Sequence, residues 1–218
     1  MTYNGDVMDP IIRERIVDAV RDRFSGDSGG HDADHTFRVV SNAIRIWEKE
    51  GGDRDIVELA AMLHDVDDRK LFGGDPYLCE HARHIMGDDF SEDVKDSVCD
   101  IIRRISFKGK DTEVPESLEG RIVQDADRLD AIGAIGIARA FAYGGSKGRK
   151  MYDPADRPKL DMSEEQYFAN TGTTVNHFYE KLLLLKDMMN TDAGRAMAMH
   201  RHEVMVSFLD EFYDEWGQ

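Results

Sequence analysis

Residues 59–68 read LAAMLHDVDD, and in this stretch five apolar residues lead directly into a histidine and an aspartate. The apolar residues end a helical pattern of hydrophobic spacing that begins near Asp55. The imidazole of His64 and the carboxylate of Asp65 need partners at the end of such a helix, because an unpaired buried charge is costly. A divalent cation would satisfy both groups, so this stretch predicts a metal site beside a buried helix.

Helical spacing of apolar residues recurs on both sides of this stretch. We predict helices at about 11–20, 31–50, 55–65, 77–86, 92–105, 117–142, 172–189 and 192–214. Asp53 has the position of a helix N-cap, and Ser163 with Gln166 has the pattern of a capping box. No alternating run is long enough to predict a strand, so we expect an all-α fold in a single domain over 1–218.

The composition is that of an ordinary soluble globular protein, with 41% hydrophobic and 33% charged residues among 218. Apolar runs such as 182–185 are too short for a transmembrane helix, and the first residues lack the layout of a signal peptide. The two cysteines, Cys79 and Cys99, form no CxxC motif and favour a reducing compartment. We therefore expect a cytoplasmic protein.

The charge of the chain limits its partners. With 44 acidic and 28 basic residues the net charge is −16, which disfavours binding to nucleic acid or to an anionic membrane. A small phosphorylated molecule is still compatible with this charge, because a bound cation can invert the local field. A phosphorylated substrate therefore implies a metal.

Two further segments carry metal-binding side chains within apolar helical patterns. His35 lies early in the second predicted helix, and QDADRLD covers 124–130. On that helix Asp127 and Asp130 share a face, whereas Asp125 points away from Asp127. A lone helical histidine is more often structural than a ligand, so the ordered set of His, His-Asp and Asp carries the prediction.

Five stretches together resemble the HD superfamily of phosphohydrolases, in its stand-alone bacterial YedJ/YpgQ-like branch. They are HDADHTFRV at 31–39, LAAMLHDVDD at 59–68, ISFKG at 105–109, VQDADRLDAIGAIGIARAF at 123–141 and HFYEKLLLLKDMMNTDAGR at 177–195. The likeness runs over nearly the whole chain. It implies one HD-type hydrolase domain, with an HD core at about 25–145 and C-terminal helices at about 160–215 packed on it.

The resemblance implies that His35, His64, Asp65 and Asp127 bind one divalent metal. Asp127 is preferred to Asp125 because it lies in the Ala-Asp-Arg-Leu context of the family's last aspartate. His31, one helical turn before His35, could also be a ligand and give an HxxxH pair, but a role outside the ligand set or at the start of the helix is preferred. Four mixed nitrogen and oxygen ligands with two open positions suit Mn²⁺, Fe²⁺, Co²⁺ or Ni²⁺ better than Mg²⁺ or a structural Zn²⁺.

The resemblance and the spacing also suggest residues around the metal. Asp68 is the expected proton-transfer residue, and Lys70 and Lys108 are expected to face the substrate phosphates. Asp130 is expected to contact the substrate or orient a ligand. His81 with His84 could form a second metal site, which we do not favour because the sequence lacks an HD-GYP signature.

A polar, glycine-bearing stretch at 143–158, YGGSKGRKMYDPADRP, is predicted to be a surface loop, with a substrate-covering loop as the alternative. Some relatives have a histidine at the position of Arg104. A substrate contact made by that histidine is therefore not assigned to Arg104.

The function expected from these features is hydrolysis of a phosphate ester or anhydride in a nucleotide. Pyrophosphohydrolysis of (d)NTPs is the first hypothesis, and nucleoside monophosphatase activity is the second. A non-catalytic nucleotide- or metal-binding module is the alternative, but such a module would be expected to have lost a ligand, and this chain keeps the full set of His, His-Asp and Asp. A cyclic-dinucleotide phosphodiesterase is disfavoured because the GYP segment is missing. The chain could act as a monomer or a homodimer.

Overall fold

Every regular element that the structure describes is a helix. The computed structural model describes residues 8–25, 33–68, 72, 77–105 and 112–217. The helices are α1 (Pro10–Arg23), α2 (Ala33–Glu50), α3 (Arg54–Leu63), α4 (Glu80–Met86), α5 (Glu92–Ile105), α6 (Leu118–Asp130), α7 (Gly133–Ser146), α8 (Glu164–Ala169), α9 (Thr174–Glu180) and α10 (Asp192–Trp216), with 3₁₀ helices at Gly87–Asp89 and Leu182–Met188. The all-α prediction is confirmed. Within these ranges no helix combines the length and apolar character needed to cross a bilayer.

The described residues form two compact units, which divide between Asp127 and Arg128 inside α6. The first unit contains the described residues of Met1–Phe107 and Thr112–Asp127, and the second contains those of Arg128–Gln218. The single-domain assignment with an HD core at about 25–145 stays a prediction.

In the first unit α3 is the buried central helix. It packs against α1, α2 and α5, and all residues of 57–63 are buried. The Asp53 carboxylate accepts hydrogen bonds from the backbone N–H groups of Asp55 and Ile56 at 3.0 and 3.2 Å, which confirms the predicted N-cap. Glu58 is buried in this helix, and its carboxylate is neutralised by Arg13 Nε at 2.6 Å.

Two helices predicted as continuous are broken in the structure. The pattern at 117–142 divides into α6 and α7, because Gly133 has a φ of +77°, which a right-handed helix cannot contain. The pattern at 172–189 divides into α9 and the 3₁₀ helix Leu182–Met188, because Lys181 has φ −144° and ψ −60°. Apolar residues continue through both breaks, so hydrophobic spacing alone does not reveal them.

In the second unit α10 packs against α7 and the 3₁₀ helix, and aromatic side chains fill the contact. Phe141 of α7 lies 5.7 Å from Phe208 and 6.2 Å from Phe212, measured between ring centroids. The predicted capping box is confirmed: Ser163 N donates to Gln166 Oε1 at 3.0 Å, and Gln166 N donates to Ser163 Oγ at 3.4 Å.

Candidate metal centre

His35 lies in the first turn of α2 and is buried, with only 2% of its surface exposed. α2 packs along α3, which brings the His35 ring to the C-terminal end of α3. There the ring centroids of His35 and His64 are 5.2 Å apart, with an edge-to-face angle of 70°. Two histidines that are 29 residues apart in the chain therefore meet at one point.

His64 directly follows the last residue of α3 and is also buried. Its Nδ1 lies 2.9 Å from the carbonyl oxygen of Ala61, and since a carbonyl only accepts, Nδ1 carries the proton of the neutral ring. The other ring nitrogen, Nε2, lies 3.3 Å from Nε2 of His35. A backbone hydrogen bond at one nitrogen thus directs the other toward the centre, as in many histidine metal ligands.

Two carboxylates complete the cluster. Asp65 Oδ2 lies 3.3 Å from His64 Nε2 and 3.5 Å from His35 Nε2. Asp127 Oδ1, from α6, lies 3.5 Å from His35 Nε2. Ligands at right angles around one ion are about 3 Å apart when each is about 2.1 Å from the metal, so these separations suit a shared cation.

A hydrogen bond helps to bring α6 to this position. Asn42 of α2 is buried, and its Nδ2 lies 3.4 Å from the carbonyl oxygen of Ala126, the residue before Asp127. Gln124 Nε2 donates to the carbonyl oxygens of Arg104 and Glu113 at 3.2 and 2.8 Å. The Asp127 carboxylate is therefore presented from an anchored stretch of helix.

The cluster attracts positive charge. Burial by itself would lower the pKa of His64, but the charges of Asp65 and Asp127, with hydrogen bonds to Asp65 and Ala61, raise that pKa to about 9. Without a metal, a proton on the imidazole therefore balances the carboxylates. A divalent cation can take the place of that proton, and in the described residues His35, His64 and Asp127 are the group identified as able to hold a metal ion.

The centre is open on its carboxylate side. The side chains of Asp65 and Asp127 are 17% and 31% exposed, whereas those of His35 and His64 are each 2% exposed. The histidines therefore form the closed wall of the site, and a small molecule can approach past the aspartates. The ligand atoms of His35, His64 and Asp127 all lie within 4.8 Å of one another, and Asp65 contacts both histidines. The assignment of the four residues as ligands stays a prediction.

Asp68 lies in the turn that follows α3, not on a continuation of the helix. The backbone N–H of Asp68 donates to the carbonyl oxygen of Asp65 at 3.1 Å, and the side chain is half-buried. Asp68 is thus three residues after the candidate ligand Asp65, and a short turn connects the two. Its role in proton transfer stays a prediction.

Asp130 is buried in the second unit, and its carboxylate has a protein partner. Arg139 Nη1 of α7 donates to Asp130 Oδ2 at 2.5 Å, and this pair spans the turn between α6 and α7. The ion pair supports the turn, and contact of Asp130 with substrate stays a prediction. Lys70, Lys108 and His31 lie outside the described residues.

The sequence did not reveal the role of Asp67, which lies two residues after Asp65 of the candidate metal centre. It is 1% exposed, and its carboxylate accepts hydrogen bonds from the backbone N–H groups of His81 and Ala82, both at 3.0 Å. His81 Nδ1 lies 2.8 Å from the same carboxylate, and the disfavoured second metal site at His81 and His84 stays untested. The signal available in the sequence was the second acidic residue in HDVDD, which alone could not identify a partner at 81.

Comparison with known proteins identifies the family of this chain. The HD domain family model matches residues 32–132. YpgQ of Bacillus subtilis (strain 168) is 42% identical over 199 residues, which cover 90% of this chain and 89% of YpgQ. An HD-superfamily hydrolase of Bacillus thuringiensis has a crystal structure with a TM-score of 0.74 and 41% identity, covering 95% of this chain and 97% of that one.

YpgQ itself has been solved in complex with ADP, with a TM-score of 0.73 to this chain, 34% identity and coverage of 94% and 95%. The all-helical fold and these relatives define an HD-domain hydrolase. The chain therefore belongs to the HD superfamily of metal-dependent phosphohydrolases, in the branch that contains YpgQ.

Proposed function

We propose that this phosphohydrolase acts on nucleotides, cleaving a phosphate anhydride of a (d)NTP with release of pyrophosphate. The observation that carries the proposal is the convergence of His35, His64, Asp65 and Asp127 within 3.3–3.5 Å contacts at a site that is open on one side. Three separate segments of the chain supply these groups.

The four residues fit one divalent transition metal, Mn²⁺, Fe²⁺, Co²⁺ or Ni²⁺. Two imidazole nitrogens and two carboxylate oxygens are borderline ligands that these ions accept, whereas Mg²⁺ prefers oxygen alone. The Asp65 and Asp127 carboxylates raise the pKa of His64 because they stabilise positive charge at that point, and the same carboxylates would stabilise a bound cation. When bound, the metal would lower the pKa of a water molecule and polarise a phosphoryl oxygen.

The remaining groups have roles around that chemistry. The Asp68 carboxylate, three residues beyond Asp65, would take or return a proton during hydrolysis. Lys70 and Lys108 would bind phosphate oxygens and offset the repulsion between an anionic substrate and a chain of net charge −16. The buried histidines exclude water from one side of the centre.

Two observations favour a nucleotide over other phosphorylated molecules. YpgQ, at 42% identity, has been crystallised with ADP, which has the anhydride linkage proposed for the substrate. The acidic surface of this chain also disfavours a polymeric nucleic acid, since phosphate backbones are repelled by it.

The test is a screen of nucleoside mono-, di- and triphosphates against Mn²⁺, Fe²⁺, Co²⁺, Ni²⁺ and Mg²⁺. We expect pyrophosphate release from triphosphates with a transition metal, and the His64→Ala variant to lose both its bound metal and this activity. His84→Ala is the matched control, because His84 is exposed on α4 and lies outside the cluster.

Phosphate release from monophosphates alone would instead identify a nucleoside monophosphatase. Metal binding without turnover of any substrate would indicate a regulatory module. Full metal occupancy in His64→Ala, measured by elemental analysis, would contradict the ligand assignment itself.

A further inference from the structure

The stretch from Tyr143 to Lys159 has a charge opposite to that of the chain. It contains five basic residues, namely Lys147, Arg149, Lys150, Arg157 and Lys159, against two acidic ones. The whole chain has 44 acidic and 28 basic residues. A local excess of cations on such an acidic protein marks a place where an anion can approach.

The backbone at the end of α7 gathers these cations. Gly148 has a φ of +66°, its N–H donates to Gly145 O at 3.1 Å, and the N–H of Arg149 donates to Gly144 O at 2.8 Å. These two bonds form a Schellman motif, which ends the helix and reverses the chain. Residues on either side of Gly148 therefore lie near the last turn of α7.

The reversal places two cations on one aromatic ring. Lys147 Nζ and the guanidinium carbon of Arg149 each lie 5.6 Å from the ring centroid of Tyr143. Arg149 Nη2 also donates to the carbonyl oxygen of Asn170 at 2.9 Å. The guanidinium group is thus oriented by the protein, and further N–H donors remain on it.

The loop that continues from Arg149 is tied to the start of α9. Thr174 N donates to Lys150 O at 3.0 Å, and Val175 N donates to Met151 O at 2.9 Å. These bonds hold the backbone in place before any ligand binds, which reduces the entropy lost on binding.

A cleft of about 590 Å³ lies along these residues, within the second unit. Its lining includes the basic side chains of Lys147, Arg149 and Lys150, the acidic side chains of Asp153 and Asp156, and Tyr143 and Thr171. This volume is within the range of about 300–1,000 Å³ typical of small-molecule sites. Lys150 Nζ is paired with Asp153 at 2.8 Å, so Lys147 and Arg149 supply the charge for a ligand.

We propose that this cleft binds the polyphosphate group of a small anion, such as pyrophosphate or a nucleoside di- or triphosphate. The two cations held on the Tyr143 ring would each pair with a phosphate group, and Thr171 would add a hydroxyl donor at the wall. The proposal concerns the second unit alone and does not depend on the function proposed for the metal centre.

The experiment is calorimetric titration of pyrophosphate into the full-length His64→Ala variant in metal-free buffer, which removes the contribution of a bound metal. We expect saturable binding, and we expect Lys147→Gln and Arg149→Gln each to weaken it about tenfold or more. Arg157→Gln is the matched control, because it removes one positive charge from the same exposed stretch outside the cleft lining.

Because Arg149 also holds Asn170, Arg149→Gln is checked by thermal unfolding, and the exposed Lys147 provides a second test through charge reversal, Lys147→Glu. Weakening by the Lys147 variants with Arg157→Gln unchanged supports the cleft. Absence of saturable binding up to millimolar pyrophosphate overturns the proposal. Equal weakening by Arg157→Gln overturns the proposal too, because the attraction would then be a diffuse effect of charge. In either case the role left for Lys147 and Arg149 is interaction with the C-terminal end of α7.

Discussion

His64 illustrates how a single side chain is prepared for its task by its neighbours. The carbonyl of Ala61 holds Nδ1, and the opposite nitrogen then meets the Asp65 carboxylate and a second imidazole, that of His35. The sequence predicted that His64 needs a partner, but the direction of the ring depends on how the chain ends α3. That direction is available only from the structure.

The first prediction concerns Asp68, which is expected to act in proton transfer and not in metal binding. Replacement by asparagine keeps the size and polarity of the side chain but removes its proton affinity. We therefore expect Asp68→Asn to retain its metal and lose about 10²–10⁴-fold in kcat, the usual contribution of a general acid or base. Steady-state kinetics beside elemental analysis measure both quantities, and an unchanged kcat would return Asp68 to a structural role.

The second prediction concerns Lys70 and Lys108 as phosphate ligands. A charge-assisted hydrogen bond contributes about 1.5–3 kcal/mol, and a triphosphate offers more of these contacts than a monophosphate. Lys70→Ala and Lys108→Ala should therefore lower kcat/KM about ten- to a hundredfold for triphosphates, with a smaller loss for monophosphates and no change in metal content. If both variants hydrolyse mono- and triphosphates with wild-type kinetics, the phosphate contacts lie elsewhere.

Among the elements, the turn between α6 and α7 depends on one glycine. Gly133 has a φ of +77°, and a Cβ atom at this position would lie 3.0 Å from the Arg201 side chain. The adjoining ion pair of Asp130 and Arg139 and a hydrogen bond from Arg201 to the Leu129 carbonyl fasten the same turn. The turn therefore separates two helices although their apolar pattern is continuous.

The third prediction is that Gly133→Ala destabilises the protein by about 1–2 kcal/mol, the cost of placing an L-residue in the left-handed region. Gly145→Ala in α7 is the control, since its backbone is helical and nothing lies within 4 Å of the added methyl. That variant should be neutral or slightly stabilising. Urea unfolding distinguishes the two, and equal stability of both variants would contradict the argument.

For the whole molecule, hydrophobic spacing was sufficient to predict an all-helical fold, and Asp53 and Ser163 marked two helix starts correctly. The metal residues followed from the order of short motifs, which resembled a known superfamily. The breaks at Gly133 and Lys181 could not be predicted, because backbone dihedral angles leave no trace in a continuous apolar pattern. The partner of Asp67 was equally hidden, since it lies 14 residues away.

The fourth prediction concerns the dependence of stability on pH. Burial lowers the pKa of His177, and the nearby charges of Lys181 and Arg149 lower it further, to about 3. The unfolded chain binds this proton near the ordinary value of 6.5, so stability is complete above pH 6.5 and falls as the pH decreases toward 3. One pH unit below 6.5 the loss is at most about 1.4 kcal/mol.

His177→Gln should remove this part of the dependence. Urea unfolding at pH 7.5 and 5.5 gives the change in unfolding free energy for the variant and for the wild type. Other groups, including His64, titrate in both proteins, so their contributions cancel in the difference. The exposed His84 provides the control substitution, His84→Gln. If wild type and His177→Gln lose equal stability between the two pH values, the neutral His177 side chain is not the cause.

The buried Asp67 carboxylate has a consequence for local opening of the chain. It lies two residues after Asp65 and accepts the first backbone N–H groups of α4, so the turn at the metal centre supplies the N-terminal cap of a distant helix. Neither segment can open without breaking these bonds. The amide protons of His81 and Ala82 should therefore be protected from exchange with solvent while the turn keeps its fold, and we expect the turn at the candidate metal centre and the start of α4 to open together.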